Sequence, residues 1–330
     1  MTVKRWAEEW LRTYKKPVVT EKSYKNYLIH VNLINSQIGG IRISQVTDAH
    51  LQKILNSRAG YSYSDIKHLH DTIRAIFKKA RQSGLIAKDP SEALEKPKAK
   101  KGKGRAITDF EREHILKVAE IHPSGLMFLT MLYTGLRPGE LCALDWRHID
   151  FESSQIRVEQ AVESGSESIK GTKTESGARV VPLRKELYDK LLSCKGDPFS
   201  PVFTQATTNK RHTQTSRRNA WRSFKNAVDD SMGAKWEKVK AKDGKMRLKK
   251  ILSVVAPDLV PYCLRHTFGT DCEKAGIPLN YIKTLMGHSD ISVTSGTYIH
   301  TEDETIKECF NNVFCGENRG EKTEKAMDSL

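Results

Sequence analysis

The chain has 330 residues and a formal net charge of +15, with 55 Lys and Arg against 40 Asp and Glu. This length exceeds one ordinary core, so two domains are expected, and the chain lacks the roughly 18 consecutive apolar residues that span a bilayer. The charge excess favours a polyanionic partner. Nucleic acid is the expected one, because no lipidation motif or membrane anchor accompanies the charge.

The six cysteines form no CxxC pair and no disulfide framework, which favours reduced thiols. Cys263, His266 and Cys272 could form part of a metal site, but no fourth ligand lies at a suitable spacing. Residues 4–16 are charged and amphipathic, unlike a signal peptide. We therefore expect a cytoplasmic protein that holds no metal.

Residues 1 to about 95 are predicted to form a small helical domain. Thr20, Thr47 and Ser64 are predicted helix caps, each followed by apolar residues at helical spacing. Gly84 is predicted to end the third of these helices. The apolar positions are most simply core residues.

Helical periodicity stops at a basic segment, residues 96–105, which marks the predicted domain boundary. A solvated linker explains this composition, but a basic linker can also lie along a phosphate backbone. The cations of this segment that we predict to contact DNA are Lys98, Lys100, Lys101, Lys103 and Arg105.

The second domain is predicted to open with a capping box at Thr108 and Glu111, followed by a buried helix over residues 126–133. Pro138 suits the first position of the next helix. Alternating apolar residues predict antiparallel strands at 155–158 and 178–183. The predicted fold class is therefore mainly α with a small antiparallel β-sheet, an α+β protein.

A later helix is predicted to bury Ala220, Trp221, Phe224 and Val228. Another face of this helix is basic and carries Arg217, Arg218, Arg222 and Lys225, and the three arginines are the second predicted DNA contact. Residues 233–257 are strongly basic and are predicted to be an irregular or hairpin insertion.

Four motifs point to one chemistry. Arg137 lies in Thr-Gly-Leu-Arg-Pro-Gly-Glu-Leu, and Arg265 lies in Pro-Tyr-Cys-Leu-Arg-His-Thr. His288 follows Gly287, and Tyr298 comes ten residues after that histidine. Guanidinium groups present planar forks to phosphate oxygens, and a phenol beside them can act as a nucleophile. Together these motifs resemble those of the tyrosine recombinases, of the phage-integrase and conjugative-transposon kind.

The resemblance covers essentially the whole chain. It implies a SAM-like core-binding domain (1–95), a linker (96–105), a catalytic domain (106–302) and a C-terminal helix and tail (303–330), which together form a clamp around DNA. It also implies a tetramer on two double-stranded recombination sites. Such a complex cleaves strands to a 3′-phosphotyrosine without metal or ATP, and integrates or excises a mobile element. Some members carry a further arm-binding domain; this chain is expected to start at the core-binding domain.

The resemblance also assigns roles to residues. Arg137 and Arg265 would clamp the phosphate, His288 would hydrogen-bond it, and Tyr298 would be the nucleophile. Glu140 would support Arg137. Read without the resemblance, Arg137 could instead form a surface ion pair with either Glu140 or Asp145.

Two further positions concern proton transfer. Lys173 would be the general acid for the leaving 5′-oxygen, with Lys170 as a rival three residues away. Tyr262 stands three residues before Arg265, where the family commonly has histidine. A phenol with a pKa of about 10 is not a base at neutral pH, so proton acceptance at this position is left open.

Two other functions fit parts of the sequence. Residues 275–298 resemble a helix-turn-helix, as in a non-catalytic DNA-binding regulator, and a type IB topoisomerase would share the chemistry. A regulator, however, needs neither Tyr298 nor two separated arginines.

The C-terminal segment is predicted to be an amphipathic helix. Its apolar face is formed by Ile306, Phe310, Val313 and Phe314. We expect that face to dock on a neighbouring subunit, with packing on its own catalytic domain as the alternative.

Overall fold

The structure is a computed structural model that describes residues 1–99, 102, 104–162, 169–171, 178–240, 246–287 and 299–314. The chain divides into two compact units, Met1–Lys103 and Gly104–Leu330. None of the helices in the described part of the chain is long and apolar enough to cross a lipid bilayer.

The first unit is helical. Its helices are α1 (Val3–Trp10), which continues into a π-helical turn, α2 (Glu21–Ile38), α3 (Asp48–Asn56) and α4 (Tyr63–Gln82). Thr20 and Thr47 cap α2 and α3 as predicted, since each hydroxyl accepts a backbone N–H of the first turn. The cap of α4 was predicted wrongly. Ser62 has the extended backbone of a cap and accepts the Asp65 N–H at 3.2 Å, whereas Ser64 already lies inside the first turn.

The core of the first unit is built from all four helices. Trp6 and Trp10 of α1 are buried against it, and the Trp6 indole N–H donates to the Ile76 carbonyl of α4 at 3.1 Å. This bond ties the N-terminal helix to the longest helix of the unit.

The second unit contains the remaining elements. Its helices are α5 (Asp109–Ile121), α6 (Gly125–Thr134), α7 (Pro138–Ala143), α8 (Lys185–Ser193), α9 (Gln214–Ser231), α10 (Pro261–Lys274), α11 (Leu279–Met286) and α12 (Ile299–Phe314). Its strands are β1 (Ile149–Asp150), β2 (Gln155–Val158), β3 (Gln160–Val162), β4 (Ile169–Gly171), β5 (Arg179–Pro182), β6 (Lys235–Lys240) and β7 (Met246–Leu252). The predicted α+β class is confirmed.

The local predictions for this unit hold. The capping box at Thr108 and Glu111 is present, and Pro138 is the first residue of α7. The two predicted strands, β2 and β5, pair antiparallel with Ile156 opposite Val181, and β1 adds to the other edge of β2. The connection between β2 and β5 contains a further antiparallel pair, β3 and β4.

The basic insertion forms a hairpin of β6 and β7, anchored at its base by a buried carboxylate. Asp229 is fully buried and accepts from Lys250 Nζ at 2.6 Å, from Ser253 Oγ at 2.7 Å and from the Val254 and Val255 backbone N–H groups. Burial opposes ionisation of this carboxyl, but the hydrogen bonds outweigh burial and lower the pKa of Asp229 to about 2.

We therefore expect Asp229→Asn to destabilise the second unit by roughly 2–4 kcal/mol, because it leaves the Lys250 ammonium without its carboxylate. The free energy of unfolding, measured by urea titration at pH 7, checks this. Since folding lowers the pKa of Asp229 from 3.8 to about 2, its stabilisation is complete above about pH 5 and is lost progressively as the pH falls towards 2. The difference between wild type and variant should therefore shrink over that window; a difference independent of pH would contradict the assignment.

The C-terminal helix α12 packs on the chain's own second unit. Ile306 and Phe310 are buried in its core, and the Phe310 ring lies 6.4 Å from that of Phe268. The Phe314 ring lies 3.7 Å from the Arg184 guanidinium carbon. Ile306 and Phe310 of the predicted apolar face are therefore buried, and Val313 and Phe314 are partly buried, against the same chain. Docking of this helix on a neighbouring subunit stays a prediction.

Candidate active site

Arg137 lies where α6 ends and α7 begins. Gly135 ends α6 in the left-handed conformation, with φ +64, and Pro138 starts α7 one residue after the arginine. The Glu140 carboxylate accepts both the Arg137 backbone N–H and its guanidinium, each at 2.8 Å. The Arg137 side chain remains 35% exposed, so its guanidinium can still reach an external anion.

Arg265, on α10, is buried beside it. Its guanidinium donates to the Gly135 carbonyl and to the Met286 carbonyl. Burial, followed by the positive charge of Arg137, lowers the pKa of Arg265 to about 10. A cation that is poorly solvated and close to another cation is stabilised when an anion binds between them.

The carboxyl end of α11 brings these arginines together. Three successive carbonyls each accept from a different guanidinium: Leu285 from Arg179, Met286 from Arg265 and Gly287 from Arg137. Unpaired carbonyls give a helix C-terminus a partial negative charge, which favours cations there. The end of α11 therefore holds the guanidinium groups directly before His288.

Gly287 is required at this point. Its φ is +63, and a Cβ built on it would lie 2.9 Å from Nη1 of Arg179 and 3.2 Å from Nη1 of Arg137. A side chain would therefore push the arginines apart as well as strain the backbone.

Arg179 is a site residue that the sequence analysis missed. It begins β5, its side chain is 2% exposed, and it donates to the two Glu140 oxygens at 3.1 and 2.8 Å. Its Nε donates to the Leu285 carbonyl at 2.7 Å. The available signal was strand alternation, which places Arg179 on the same face as the buried Val181.

Glu140 joins the two arginines. Burial alone would raise the pKa of its carboxyl, but hydrogen bonds and charge from Arg179, followed by the Arg137 contacts, lower it. Glu140 is therefore ionised. Asp145, the other acidic residue considered for Arg137, pairs instead with Arg211.

Tyr262 occupies the first turn of α10 and is 48% exposed. Lys173, His288 and Tyr298 lie outside the described residues. His288 directly follows Gly287, whose carbonyl accepts from Arg137, and Lys173 lies in the segment between β4 and β5, which ends just before Arg179. Cys263 and Cys272 are buried free thiols, and within the described ranges no group of His, Cys, Asp or Glu could hold a metal.

The predicted DNA contacts lie in different environments. Lys98 is exposed, as are Arg218 and Arg222 of α9, whereas Arg217 is half-buried. Lys100, Lys101 and Lys103 lie outside the described residues. Arg105 pairs with Glu111 at 2.7 Å and with Asp258 at 2.9 Å, so it has a structural role at the start of the second unit.

The loop that leads into α10 is held by a lysine of α9. Lys225 Nζ donates to the carbonyls of Ala256, Pro257 and Leu259 at 3.0 to 3.2 Å. The sequence pattern placed Lys225 on the basic face of this helix, but these contacts show that it fixes the loop before Arg265 instead.

Comparison with known proteins identifies the family of this chain. Residues 105–305 match the phage integrase family, and residues 2–58 match the N-terminal SAM-like domain of phage integrases. A XerC-like tyrosine recombinase of Caldanaerobacter subterraneus is 28% identical over 89% of this chain and 77% of its own length. The transposase of transposon Tn916 from Enterococcus faecalis is 26% identical over 86% of this chain and 70% of its own length.

Solved structures share the fold. The Tn1549 transposon integrase, in complex with a circular intermediate DNA, superposes with a TM-score of 0.70 at 19% identity, over 92% of this chain and 98% of its own. Because the family match spans well over half of the residues, including both arginine motifs, the chain belongs to the phage integrase family of tyrosine recombinases.

Proposed function

We propose that this protein is a site-specific DNA recombinase that integrates or excises a mobile element. The observation that carries the proposal is the convergence of Arg137 and Arg265 on the end of α11, one residue before His288. Two guanidinium groups so placed form a site for one phosphate, with its non-bridging oxygens as ligands.

The reaction follows from the residues around that phosphate. The Tyr298 phenol gives its proton to water, its oxygen attacks phosphorus to form an O–P bond, and the bond from phosphorus to the 5′-oxygen breaks. Lys173 donates the proton that the departing 5′-oxygen takes up, so the products are a 3′-phosphotyrosine and a free 5′-hydroxyl. The reverse attack by a 5′-hydroxyl of another strand rejoins the DNA. The phosphate linkage is conserved throughout, so no ATP is required.

His288 and Tyr262 would hydrogen-bond the phosphate or the nucleophile. Tyr262 is exposed on the first turn of α10, where its phenol can donate a hydrogen bond, and a phenol is a weak base at neutral pH.

The proposed partner is double-stranded DNA at two recombination sites, held by a tetramer in the cytoplasm or nucleoid. The net charge of +15 supports a polyanionic partner. Related proteins have been seen on DNA: a lambda integrase dimer on a core site and a tetramer on a Holliday junction. We propose Lys98, Arg218 and Arg222 as DNA contacts, because they are exposed.

The test is covalent adduct formation. We expect the purified protein, incubated with a nicked duplex that carries an end of its own element, to give a DNA-linked band on a denaturing gel. The yield should be unchanged in excess EDTA, because arginine and lysine side chains supply the positive charge that metal ions supply elsewhere. Specific DNA binding without an adduct would favour the DNA-binding regulator, whereas an adduct that requires added Mg²⁺ would contradict the mechanism.

A further inference from the structure

The arginine cluster at the end of α11, formed by Arg137, Arg179 and Arg265, contains one more guanidinium group than the proposed reaction uses. Arg179 is buried more deeply than Arg137, with a side chain 2% exposed against 35%. Its Nε, Nη1 and Nη2 donate to the Leu285 carbonyl and to both oxygens of Glu140. Every nitrogen of this guanidinium group therefore has a partner within the protein.

Glu140 is shared evenly between the two arginines. Its Oε1 accepts from Nη1 of Arg137 at 2.8 Å and from Nη1 of Arg179 at 3.1 Å. Its Oε2 accepts from the Arg137 backbone N–H and from Nη2 of Arg179, both at 2.8 Å. Since Arg179 takes part of the negative charge of Glu140, Arg137 is only partly neutralised and keeps charge for an external anion.

Arg179 also ties β5 to the end of α11. Its bond to the Leu285 carbonyl stands beside the bonds that Arg265 and Arg137 make to the next two carbonyls. Movement of this helix end would displace both phosphate-binding guanidinium groups together.

We infer that Arg179 is a positioning residue for strand cleavage: it orients Glu140, and through Glu140 it sets the direction and effective charge of Arg137. This inference rests on the proposed function. It predicts that loss of Arg179 lowers the rate of cleavage while DNA affinity is largely retained.

The first experiment compares Arg179→Lys and Arg179→Gln with wild type. At saturating DNA the single-turnover rate of adduct formation should fall about 100-fold, the effect of misplacing a reacting group by roughly 1 Å, and the Kd for DNA should change by less than about threefold. Arg112→Lys is the matched control, because Arg112 makes a two-bond ion pair with Asp271 outside the Glu140 network. Melting temperatures show whether each variant is folded.

The second experiment separates positioning from structural support. A duplex with a methylphosphonate at the scissile position has no negative charge there. Cleavage of this duplex should therefore depend less on the orientation of Arg137. On the charged duplex, wild type should cleave much faster than Arg179→Lys. On the methylphosphonate duplex this rate advantage should be at least about tenfold smaller. The rate advantage of wild type over Arg137→Lys should shrink in the same way. When Arg137→Lys and Arg179→Lys are combined, the loss of cleavage rate should be smaller than the product of the two single losses, because both residues act through Glu140.

Several outcomes would overturn the inference: wild-type rates in both variants, the same rate ratio on the charged and neutral substrates, or unfolding of both variants at the assay temperature. In the last case Arg179 is a structural residue only. Absence of any adduct with the wild-type protein on both substrates would instead refute the proposed function, so the two failures can be told apart.

Discussion

Replacing Tyr298 by Phe is expected to abolish covalent attachment to DNA while leaving DNA affinity unchanged. The substitution removes one hydroxyl, and with it the oxygen that forms the phosphotyrosine. The loss should approach the roughly 10⁶-fold that removal of a catalytic nucleophile causes. A denaturing gel for the adduct and a salt-controlled binding titration measure the two properties separately.

Tyr281→Phe is the control for this prediction. Tyr281 lies on α11 and packs partly buried against the core of the second unit, so its hydroxyl has no role in the proposed reaction. That variant should form the adduct at the wild-type rate. If Tyr298→Phe retained the adduct, or if Tyr281→Phe lost it, the nucleophile would have to be assigned elsewhere.

Arg137→Lys is expected to reduce cleavage by about 10² to 10³-fold, the range found when one preorganised donor to a developing charge is removed. The charge is retained, but an ammonium cannot reproduce the planar fork that binds two phosphate oxygens. It also cannot donate to Glu140 and to the Gly287 carbonyl in the geometry of Arg137. DNA affinity should fall by less than about threefold, because binding is spread over many phosphate contacts.

Arg157→Lys is the matched control, since Arg157 is an exposed arginine of β2 that is not among the proposed DNA contacts. It should leave the cleavage rate at saturating DNA unchanged. Equal losses of cleavage and of binding in Arg137→Lys would show that Arg137 only anchors DNA, and would remove it from the reaction.

Much of the local structure could be predicted because its signals are local. The caps at Thr20, Thr47 and Thr108 involve hydrogen bonds that span three residues. The same holds for Pro138 at the start of α7. The misplaced cap of α4 shows the limit, because Ser62 and Ser64 are both suitable residues two positions apart.

The candidate site was predictable in part for a different reason. Arg137, Arg265, His288 and Tyr298 stand in motifs whose residue types are dictated by phosphate chemistry. Gly287 was predictable as a turn, and its φ of +63 agrees. Its close approach to two guanidinium groups was not, because they come from β5 and from the start of α7.

What only the tertiary structure decided is which charges face inward. Arg179 begins an apolar strand and Lys225 lies on the basic face of a helix, yet Arg179 binds a buried carboxylate 39 residues away and Lys225 donates to three loop carbonyls. A buried cation is stable only when its partners are in place, and those partners come from distant segments. The sequence by itself therefore determined the helices, the main strands and the chemistry of the motifs. The arrangement of the arginines around Glu140 and α11, and the docking of α12, followed only from packing, because both depend on contacts between residues far apart in the chain.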